Sequence, residues 1–414
     1  MGNSNNKKTT FKKDKYKEKK IYKLKNDGKN KEKKENTTYN KYSEISPKNE
    51  KKENTTYNLS EISPKNEKKE NTINYNYTKT TPKNNNNLDI YLKSDLVNDS
   101  YAWRQFTNTF TTFKSINNLL FLIYSTETKS IICYDLNRGK KYTEIKNAHS
   151  NHCINLRHYL DTINKRDIIM SLFDYNDLKL WDAKNFECII YLPNINKNGY
   201  VFSAYLLRDN NINYIITSNY ISGQNVAEPV KIFGLNGDLI KTIKNSDETT
   251  LILDNYFDKN LSKNYIITGN YNHVKSYDYT SNTIYHKYFD SKNEKIHSDI
   301  IIKSDESIIK IIESCNDGYV RIWDLHSGLM LNKINLEIYS NQYSLCLWDN
   351  QYLFVGCLYK IVLVDFQENK IIRVYNQKDN PLTMEKVYLS KYGECLISQG
   401  MGKDQIKIWL INKK

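Results

Sequence analysis

One short unit recurs through most of this chain, and it limits the fold more than any other feature. Its clearest copy is the stretch SCNDGYVRIWDLHSG, from Ser314 to Gly328. This stretch has the pattern of a strand, a tight polar turn and a second strand that ends in a Trp-Asp pair. An isolated two-stranded hairpin is only marginally stable in water. A fold built from this unit therefore needs several copies that stabilise one another.

Seven copies of the unit can be aligned on the end of their third apolar run. Successive copies are 41 to 52 residues apart, close to the roughly 40–45 residues of a four-stranded propeller blade. The apolar runs group into fours. In each group a run precedes the turn, the aligned third run follows it, and a further run usually comes next, so each unit has the pattern of four strands. The signature positions are Tyr134, Asp135, Trp181, Asp182, Phe233, Tyr277, Asp278, Trp323, Asp324, Asp365 and Trp409.

These units resemble WD repeats of the beta-transducin type. The resemblance starts near residue 95, and we assign residues 89–414 to the repeat domain. It implies an all-β fold, a seven-bladed β-propeller with one blade per unit. The last unit lacks its fourth strand, which in this family usually comes from the N-terminal side of the domain. The segment LDIYLKSDLVNDSYAWRQF, residues 88–106, is the donor that we predict, because an open ring would leave strand edges unpaired.

The fifth unit comes closest to the buried polar network of this family. Four of its residues have suitable spacing, namely His297, Ser314, Asp317 and Trp323. We interpret them as a chain of hydrogen bonds that ties the turn to the strands, because buried polar groups need partners. The interpretation gives these residues a structural role, not a catalytic one.

Two departures from the family pattern stand out. The Gly-His dipeptide that usually opens a WD repeat is nearly absent, and Ala148-His149 is its nearest version. The third unit carries an insertion, YISGQNVAEP, from Tyr220 to Pro229. We expect this insertion to lengthen a loop on one rim of the ring, where a partner can reach it.

Catalytic and metal-binding motifs are weak throughout. The best metal-like cluster is HSNHC, with His149, His152 and Cys153, but its spacing does not match a standard zinc site. No G-x-S-x-G or H-E-x-x-H motif occurs, and no Gly-rich segment has the spacing of a phosphate loop. The sequence thus predicts no catalytic residue, metal, cofactor or small-molecule substrate. An enzyme site assembled from distant blades stays an alternative.

Residues 1–88 differ from the rest in charge and composition. They hold 23 Lys and 11 acidic residues, so that +12 of the net charge of +14 lies there. They have few large apolar side chains, and a KKENTTYN–SEISPKNE unit of 17–18 residues repeats within them. We predict a disordered, low-complexity tail, because such a segment cannot bury enough apolar surface to offset its ordering entropy.

Three features of the tail suggest functions. The start MGNSNNKK is a loose N-myristoylation match at Gly2, and the Lys-rich run after it supplies a second membrane signal. Ser46, Ser63 and Thr81 each precede Pro, and phosphorylation there would weaken attraction to an anionic surface. The basic run also permits weak contact with polyanions, but no specific nucleic-acid recognition is expected. A solvated linker is the simpler interpretation of the whole segment.

The resemblance implies a non-catalytic scaffold or adaptor that binds other proteins or peptides on the faces of its propeller. The alternative is an adaptor tethered to an anionic membrane by myristoyl-Gly2 and the basic tail. The seven scattered cysteines, the lack of an apolar run of roughly 18 residues and the polar N-terminus predict a cytoplasmic location. Nuclear or peripheral membrane association stays open.

Overall fold

The computed structural model divides the chain into two units, Met1–Lys79 and Thr80–Lys414. The residues that it describes are 88–102, 108–174, 176–196, 199–221, 226–244, 246, 249–270, 273–290, 297–305, 308–338 and 341–413. Strands form seven antiparallel four-stranded sheets in these ranges, which confirms the predicted all-β seven-bladed propeller. No helix among these residues is long and apolar enough to cross a membrane. The tail and its candidate sites Gly2, Ser46, Ser63 and Thr81 lie outside the described residues.

The strands follow the chain in order. The first is β1 (Leu88–Ala102). Blade one consists of β2 (Phe110–Lys114), β3 (Leu120–Ser125), β4 (Ile131–Asp135) and β5 (Lys140–Ile145). Blade two consists of β6 (Cys153–Asp161), β7 (Arg166–Phe173), β8 (Asp177–Asp182) and β9 (Cys188–Leu192). Blade three consists of β10 (Tyr200–Asp209), β11 (Ile212–Ile221), β12 (Val226–Gly234) and β13 (Leu239–Thr242).

The second half repeats the same arrangement. Blade four consists of β14 (Ile252–Asp258), β15 (Lys263–Gly269), β16 (Val274–Asp278) and β17 (Thr283–Tyr288). Blade five consists of β18 (His297–Ser304), β19 (Ile309–Cys315), β20 (Tyr319–Asp324) and β21 (Met330–Asn335). Blade six consists of β22 (Gln342–Trp348), β23 (Tyr352–Cys357), β24 (Lys360–Asp365) and β25 (Lys370–Asn376). Blade seven contains β26 (Thr383–Leu389), β27 (Gly393–Gln399) and β28 (Gly402–Lys413).

The first strand of each blade is the inner one, because these strands contact one another from blade to blade around the ring, including β26 with β2. We name the two faces of the ring after these inner strands. They begin at the upper face and end at the lower face. The turns that follow the inner strands therefore lie on the lower face, and their described residues are 115–119, 162–165, 210–211, 259–262, 305, 308, 349–351 and 390–392.

Strand β1 closes the ring as the fourth strand of blade seven. It pairs antiparallel with β28 from Leu88 opposite Lys413 to Ala102 opposite Gly402. Leu88 and Ile90 are buried in a cluster with Trp409, while Val97 is buried in the cluster shared with blade one. The predicted donor segment is thus confirmed for residues 88–102, and the edge of β28 is paired rather than open.

The signature Asp residues hold the turn between the third and fourth strands. Asp135 Oδ1 accepts hydrogen bonds from the backbone N–H groups of Asn137 and Arg138, both at 3.0 Å. Equivalent hydrogen bonds are made by Asp182, Asp278, Asp324 and Asp365. The buried signature aromatic side chains are those of Trp181, Phe233, Tyr277, Trp323 and Trp409, whereas Tyr134 is half-buried. The recurring pair therefore combines a packing residue with a turn-capping carboxylate.

The insertion in blade three has a different form from the predicted loop. It extends a hairpin, because Tyr220 pairs with Ala227 and Ile221 pairs with Val226 beyond the usual end of β11 and β12. The β-branched residues on both sides favour continued pairing over an irregular loop. The insertion thus lengthens the second and third strands of blade three at the upper face.

Candidate functional site

A cavity of about 140 Å³ lies where the inner strands begin, at the upper face. Its lining comes from the inner strands, or the segments leading into them, of all seven blades. We name it the channel mouth. Its polar lining includes Asn155, Arg157, Ser203, Asp299, Tyr343 and Glu385. A site to which every blade contributes exists only in the closed ring.

Arg157 supplies the positive charge of the channel mouth. It lies in β6, and its guanidinium carbon is 4.1 Å from the centroid of the Tyr205 ring in β10 of the next blade. Its Nε is buried and has no hydrogen-bond partner among the described residues. Tyr205 in turn is hydrogen-bonded to Asp254 in β14. A cation–π contact and a hydrogen bond thus link the inner strands of blades two, three and four.

Asp299 supplies one buried carboxyl group of the channel mouth. Its Oδ2 accepts a hydrogen bond from the backbone N–H of Leu345 at 2.7 Å, which crosses from blade five to blade six. Its Oδ1 accepts a hydrogen bond from the N–H of Ile300 at 2.9 Å. Burial raises the pKa of Asp299 to about 7, although these hydrogen bonds and Arg157 lower it. Desolvation of the ionised form is therefore the larger effect.

Glu385 supplies a second buried carboxyl group of the channel mouth, and its hydrogen bonds cross from blade seven to blade one. Its Oε2 accepts hydrogen bonds from Thr112 N at 2.6 Å and from Thr112 Oγ1 at 2.5 Å. Burial raises the pKa of Glu385 to about 7, against the opposing effect of these hydrogen bonds. Burial also raises the pKa of Asp254. Asp299 and Glu385 line the cavity, whereas Asp254 is not part of the lining and interacts with Tyr205 and Arg157. We refer to Asp254, Asp299 and Glu385 together as the mouth carboxyls.

The mouth carboxyls outnumber the one guanidinium beside them. Arg157 acts electrostatically on each of the three, so it stabilises their ionised forms in part. A carboxylate that is buried without a full counter-charge is costly, which is why protonation competes with ionisation here. A cationic group that entered the cavity would supply the missing counter-charge. The site is therefore complementary to a positively charged group.

These raised pKa values predict a pH-dependent stability. Between about pH 4 and pH 7 the folded protein holds more protons than the unfolded chain at Asp299 and Glu385, so the free energy of unfolding falls as pH rises. Each carboxyl group should contribute about 2 kcal/mol to this fall between pH 5.5 and pH 8. In Asp299→Asn the melting temperature should fall less over this range than in the wild type. Thermal unfolding at several pH values measures it, with the exposed Asp238→Asn as control.

If the melting temperature of Asp299→Asn fell with pH as steeply as that of the wild type, the result would contradict the assignment of a raised pKa to this carboxyl group. A flattened slope in Asp238→Asn would show that general charge effects dominate the pH dependence.

The lining offers binding groups but no activated nucleophile. Ser344 Oγ donates a hydrogen bond to the carbonyl O of Pro381 at 2.7 Å, and Ser203 Oγ has no histidine beside it in the lining. The lining residues include neither His, Lys nor Cys. A serine without a neighbouring base is a weak nucleophile. The geometry thus provides charge and hydrogen bonds for a bound group.

In blade five, the structure brings together only part of the network that the sequence suggests. Trp323 Nε1 donates a hydrogen bond to Glu313 Oε1 at 3.0 Å. Ser314 points to the opposite face of the sheet, because successive side chains of a strand alternate, and Ser314 Oγ has no partner in the described part of the chain. His297 pairs with Cys315 through its backbone, and its side chain lies outside the described residues.

Asp317 contacts a residue that sequence reasoning missed. Arg321, only 1 % exposed, is paired with Asp317 and also with Asp290 at 3.0 Å. Its Nη1 contacts Cys315 Sγ at 2.9 Å. A signal was present in the sequence, because a basic residue two positions before the aromatic also occurs as Lys179, Lys231, Lys275 and Lys407. A basic residue that recurs two positions before the signature aromatic, at a buried or half-buried place, indicates cations that are paired inside the blades.

A His–Ser–Trp network lies in blade two. His149 Nε2 and Ser171 Oγ are hydrogen-bonded at 2.9 Å, and Trp181 Nε1 donates to Ser171 Oγ at 2.7 Å. Ser171 and Glu313 each precede the Trp of their blade by ten residues and share its side of the sheet. In blade seven Trp409 Nε1 donates to Ser398 Oγ at 2.9 Å. The partner of the indole is therefore set by strand alternation.

The metal-like cluster is split among separate contacts. The ring of His149 stacks on Phe173, with centroids 3.3 Å apart, and burial lowers the pKa of His149 to about 2. His152 instead lies 4.9 Å from the ring of Tyr101, and Cys153 Sγ contacts the carbonyl O of Asn155. Among the described residues, no three His, Cys, Asp or Glu side chains are placed to hold a metal ion.

These contacts predict that two serine-to-alanine substitutions change the free energy of unfolding by different amounts. Ser171→Ala should lower the free energy of unfolding by about 1–3 kcal/mol, because it leaves the buried Trp181 and His149 nitrogens without their partner. Ser314→Ala should change it by less than about 0.5 kcal/mol or stabilise the protein, because the lost hydroxyl is buried and unpartnered among the described residues. Denaturant unfolding of the two variants tests this, and equal losses would contradict it.

Sequence comparison adds no family to this geometry. No family model and no curated protein matches the chain. The features that indicate a function are therefore the fold and the side chains of the channel mouth and the two faces.

Proposed function

We propose that this protein is a non-catalytic interaction scaffold of the WD-repeat type and that its channel mouth binds a basic side chain of a partner peptide. The repeat type is supported by seven four-stranded blades and by the Asp that caps the third-to-fourth strand turn. Strand β1 supplies the fourth strand of blade seven from the N-terminal side of the domain, as in that family. The three mouth carboxyls around one guanidinium are the single observation that carries the proposed ligand.

The size of the cavity favours a side chain over a small-molecule substrate. Its volume of about 140 Å³ is below the roughly 300–1,000 Å³ of typical small-molecule sites. A Lys or Arg side chain has an apolar stem and a charged head, and the cavity offers both kinds of contact. Leu251, Ile252 and Met384 line it beside Asp299 and Glu385.

Raised carboxyl pKa values are also found in general acid–base catalysts. In this cavity, however, the carboxyl oxygens of Asp299 and Glu385 are held by backbone N–H groups of neighbouring blades. The lining contains no His, Lys or Cys, and the Ser344 hydroxyl is hydrogen-bonded to a backbone carbonyl. These contacts suit a preorganised binding site better than a proton-transfer site, so binding is the function that we favour.

Selection from a library of random heptapeptides displayed on phage tests this function. We expect peptides selected at pH 7.5 on the wild-type protein to share a Lys or Arg at one position. Peptides selected on the double variant Asp299→Asn, Glu385→Gln should have no shared basic residue, because the neutral amides supply no counter-charge. Asp238→Asn, on an exposed lower-face turn, is the control and should keep it. Peptides without a shared basic residue, or a preference that persists in the double variant, would refute the proposed ligand.

A further inference from the structure

The lower face exposes large apolar side chains at the turns that follow five of the inner strands. Their exposed fractions run from 37 to 68 %. They belong to blades seven, one, two, three and four, which are successive in the ring, and they are Tyr388, Tyr392, Ile116, Leu160, Ile163, Ile212, Phe257 and Leu261. We name these residues the lower arc. At the upper face, the exposed large apolar residues in the described ranges are Phe289, Leu358, Tyr359 and Met401.

Each of the five blades adds one exposed cation beside its apolar residues. These cations are Lys114, Lys165, Arg208, Lys259 and Lys391. None of them forms an ion pair with a described carboxylate. Arg208 contacts only the neutral groups of Thr162 and Asn211, and Lys391 lies 5.1 Å from the centroid of the Tyr392 ring. The positive charges of the arc are therefore available to a partner.

The carboxylates at the turns of blades two and four are buried, whereas Asp209 at the turn of blade three is half-buried and accepts hydrogen bonds from Asn210 and Asn264. Asp258 is buried, and its Oδ1 accepts hydrogen bonds from the N–H groups of Asn260 and Leu261 at 2.8 and 3.2 Å. Asp161 does the same for the turn that carries Ile163. These caps hold the turn while the aliphatic side chain and the neighbouring cation stay in solvent. Exposed acidic residues occur farther out, at Glu187 and Asp238 in the turns between third and fourth strands. Lys140 and Lys184 are also exposed at turns of this kind and carry the opposite charge.

Blades five and six interrupt the arc. Asp305 in the turn of blade five pairs with both Lys303 and Lys310 at 2.7 Å. Asp349 in the turn of blade six pairs with Lys386 at 2.7 Å. The described residues of these two turns expose no large apolar side chain. Among the turns that follow the inner strands, exposed apolar residues beside unpaired cations thus occur on one contiguous side of the lower face, while blade five exposes Leu329 farther out, in its third-to-fourth strand turn.

We propose that the lower arc binds the surface of an anionic phospholipid bilayer. Apolar tips enter the acyl boundary of such a surface while Lys and Arg stay at the level of the phosphates, and both kinds of side chain alternate along the arc. The unpaired cations and buried carboxylates match the negative charge of the leaflet. This surface is opposite the channel mouth, and the proposal does not depend on the proposed function.

Co-sedimentation of the full-length protein with phosphatidylcholine vesicles, with and without phosphatidylserine, tests the proposal. The triple variant Ile116→Ser, Ile163→Ser, Leu261→Ser changes no charge. We expect it to bind the phosphatidylserine vesicles at least about 10-fold more weakly than the wild type, because three apolar tips no longer insert. The matched control Phe289→Ser, Leu358→Ser, Met401→Ser alters comparably exposed residues of the upper face and should bind like the wild type.

The charge of the arc is tested separately with Lys114→Gln, Lys165→Gln, Lys259→Gln. This variant should lose most of the preference for phosphatidylserine that the wild type shows at the same ionic strength. Both triple variants change exposed side chains, and unchanged thermal unfolding verifies that they fold.

Three results would overturn the proposal. One is equal binding by the wild type and the serine triple variant, which would assign any vesicle binding to the lysines of residues 1–79. Another is equal weakening in the upper-face control. The third is a serine triple variant that loses affinity for soluble poly-L-glutamate as much as for vesicles, which would assign the arc to an acidic protein partner.

Discussion

Deletion of residues 88–102 is expected to abolish cooperative unfolding of the ring. The deletion removes Leu88, Ile90 and Val97 from two buried clusters and leaves the outer edge of β28 unpaired, so that β27 is its one remaining partner strand in the blade. Each buried aliphatic side chain contributes about 2 kcal/mol, so the loss is on the order of 6 kcal/mol before backbone pairing is counted. That is comparable to the net stability of about 5–15 kcal/mol of a typical domain.

Circular dichroism during thermal unfolding and gel filtration would detect this loss as a lower, broader transition and as self-association through the open edge. The matched control is a chain that starts at Thr80, which keeps β1 and removes only Met1–Lys79. It should unfold at the same temperature as the full-length protein. A deletion that melts no lower than this control would show that β1 does not close the ring.

The second large effect is expected at Gly356, where the backbone of blade six lies close to Pro381 in the segment leading into blade seven. A Cβ at this position would overlap the carbonyl O of Pro381 and Ser344 Oγ, both on neighbouring segments, and would lie 3.1 Å from Pro381 Cγ. The carbonyl belongs to the backbone and accepts the Ser344 hydrogen bond, so it cannot move without breaking that contact. Gly356→Ala should therefore lower the free energy of unfolding by about 3 kcal/mol or more.

Gly393→Ala is the matched control for this substitution. Gly393 has a φ of +76°, and a Cβ there meets no atom within 4 Å. Its substitution should cost about 1 kcal/mol through backbone conformation alone. Denaturant unfolding of both variants gives the comparison. A loss at Gly356 no greater than that at Gly393 would mean that the two blades can separate at little cost.

The architecture was accessible from the sequence because its signals are local. A turn, an aromatic and an Asp recur within a few residues of one another, and in five of the seven copies the Asp accepts hydrogen bonds from the backbone of the turn that follows it. The missing fourth strand of the last unit also pointed to residues 88–106, of which 88–102 form β1. Repeats of this kind specify blade number and ring closure without any knowledge of distant contacts.

The polar interior was harder to predict, for reasons that individual residues show. Ser314 and Glu313 are adjacent, but only Glu313 shares the side of the sheet occupied by Trp323. A one-residue difference in register therefore decides which of them meets the indole. The sequence predicts a loop at the insertion in blade three because the Ser-Gly-Gln-Asn run is rich in turn-forming residue types, whereas Tyr220 and Ile221 on one side pair with Ala227 and Val226 on the other.

The channel mouth left almost no signal in the sequence. Its contacts join residues of different blades, such as Arg157 with Tyr205 and Glu385 with Thr112. No periodic pattern records such pairs, because each blade contributes a different side chain to a ring that forms only on closure. The available hint was a charged residue in the middle of a largely apolar inner strand, namely Glu385 in TMEKVYL and Arg157 in CINLRHYLD.

Photo-crosslinking of a selected peptide tests the central claim most directly. The peptide would carry a photoreactive residue beside its shared Lys or Arg, and mass spectrometry would locate the adducts on the full-length protein. We expect adducts on residues 343–345 and 382–385, which line the channel mouth, and their loss in the double variant Asp299→Asn, Glu385→Gln. Adducts concentrated on the lower face, or adducts that survive in the double variant, would contradict a basic-group site at the channel mouth.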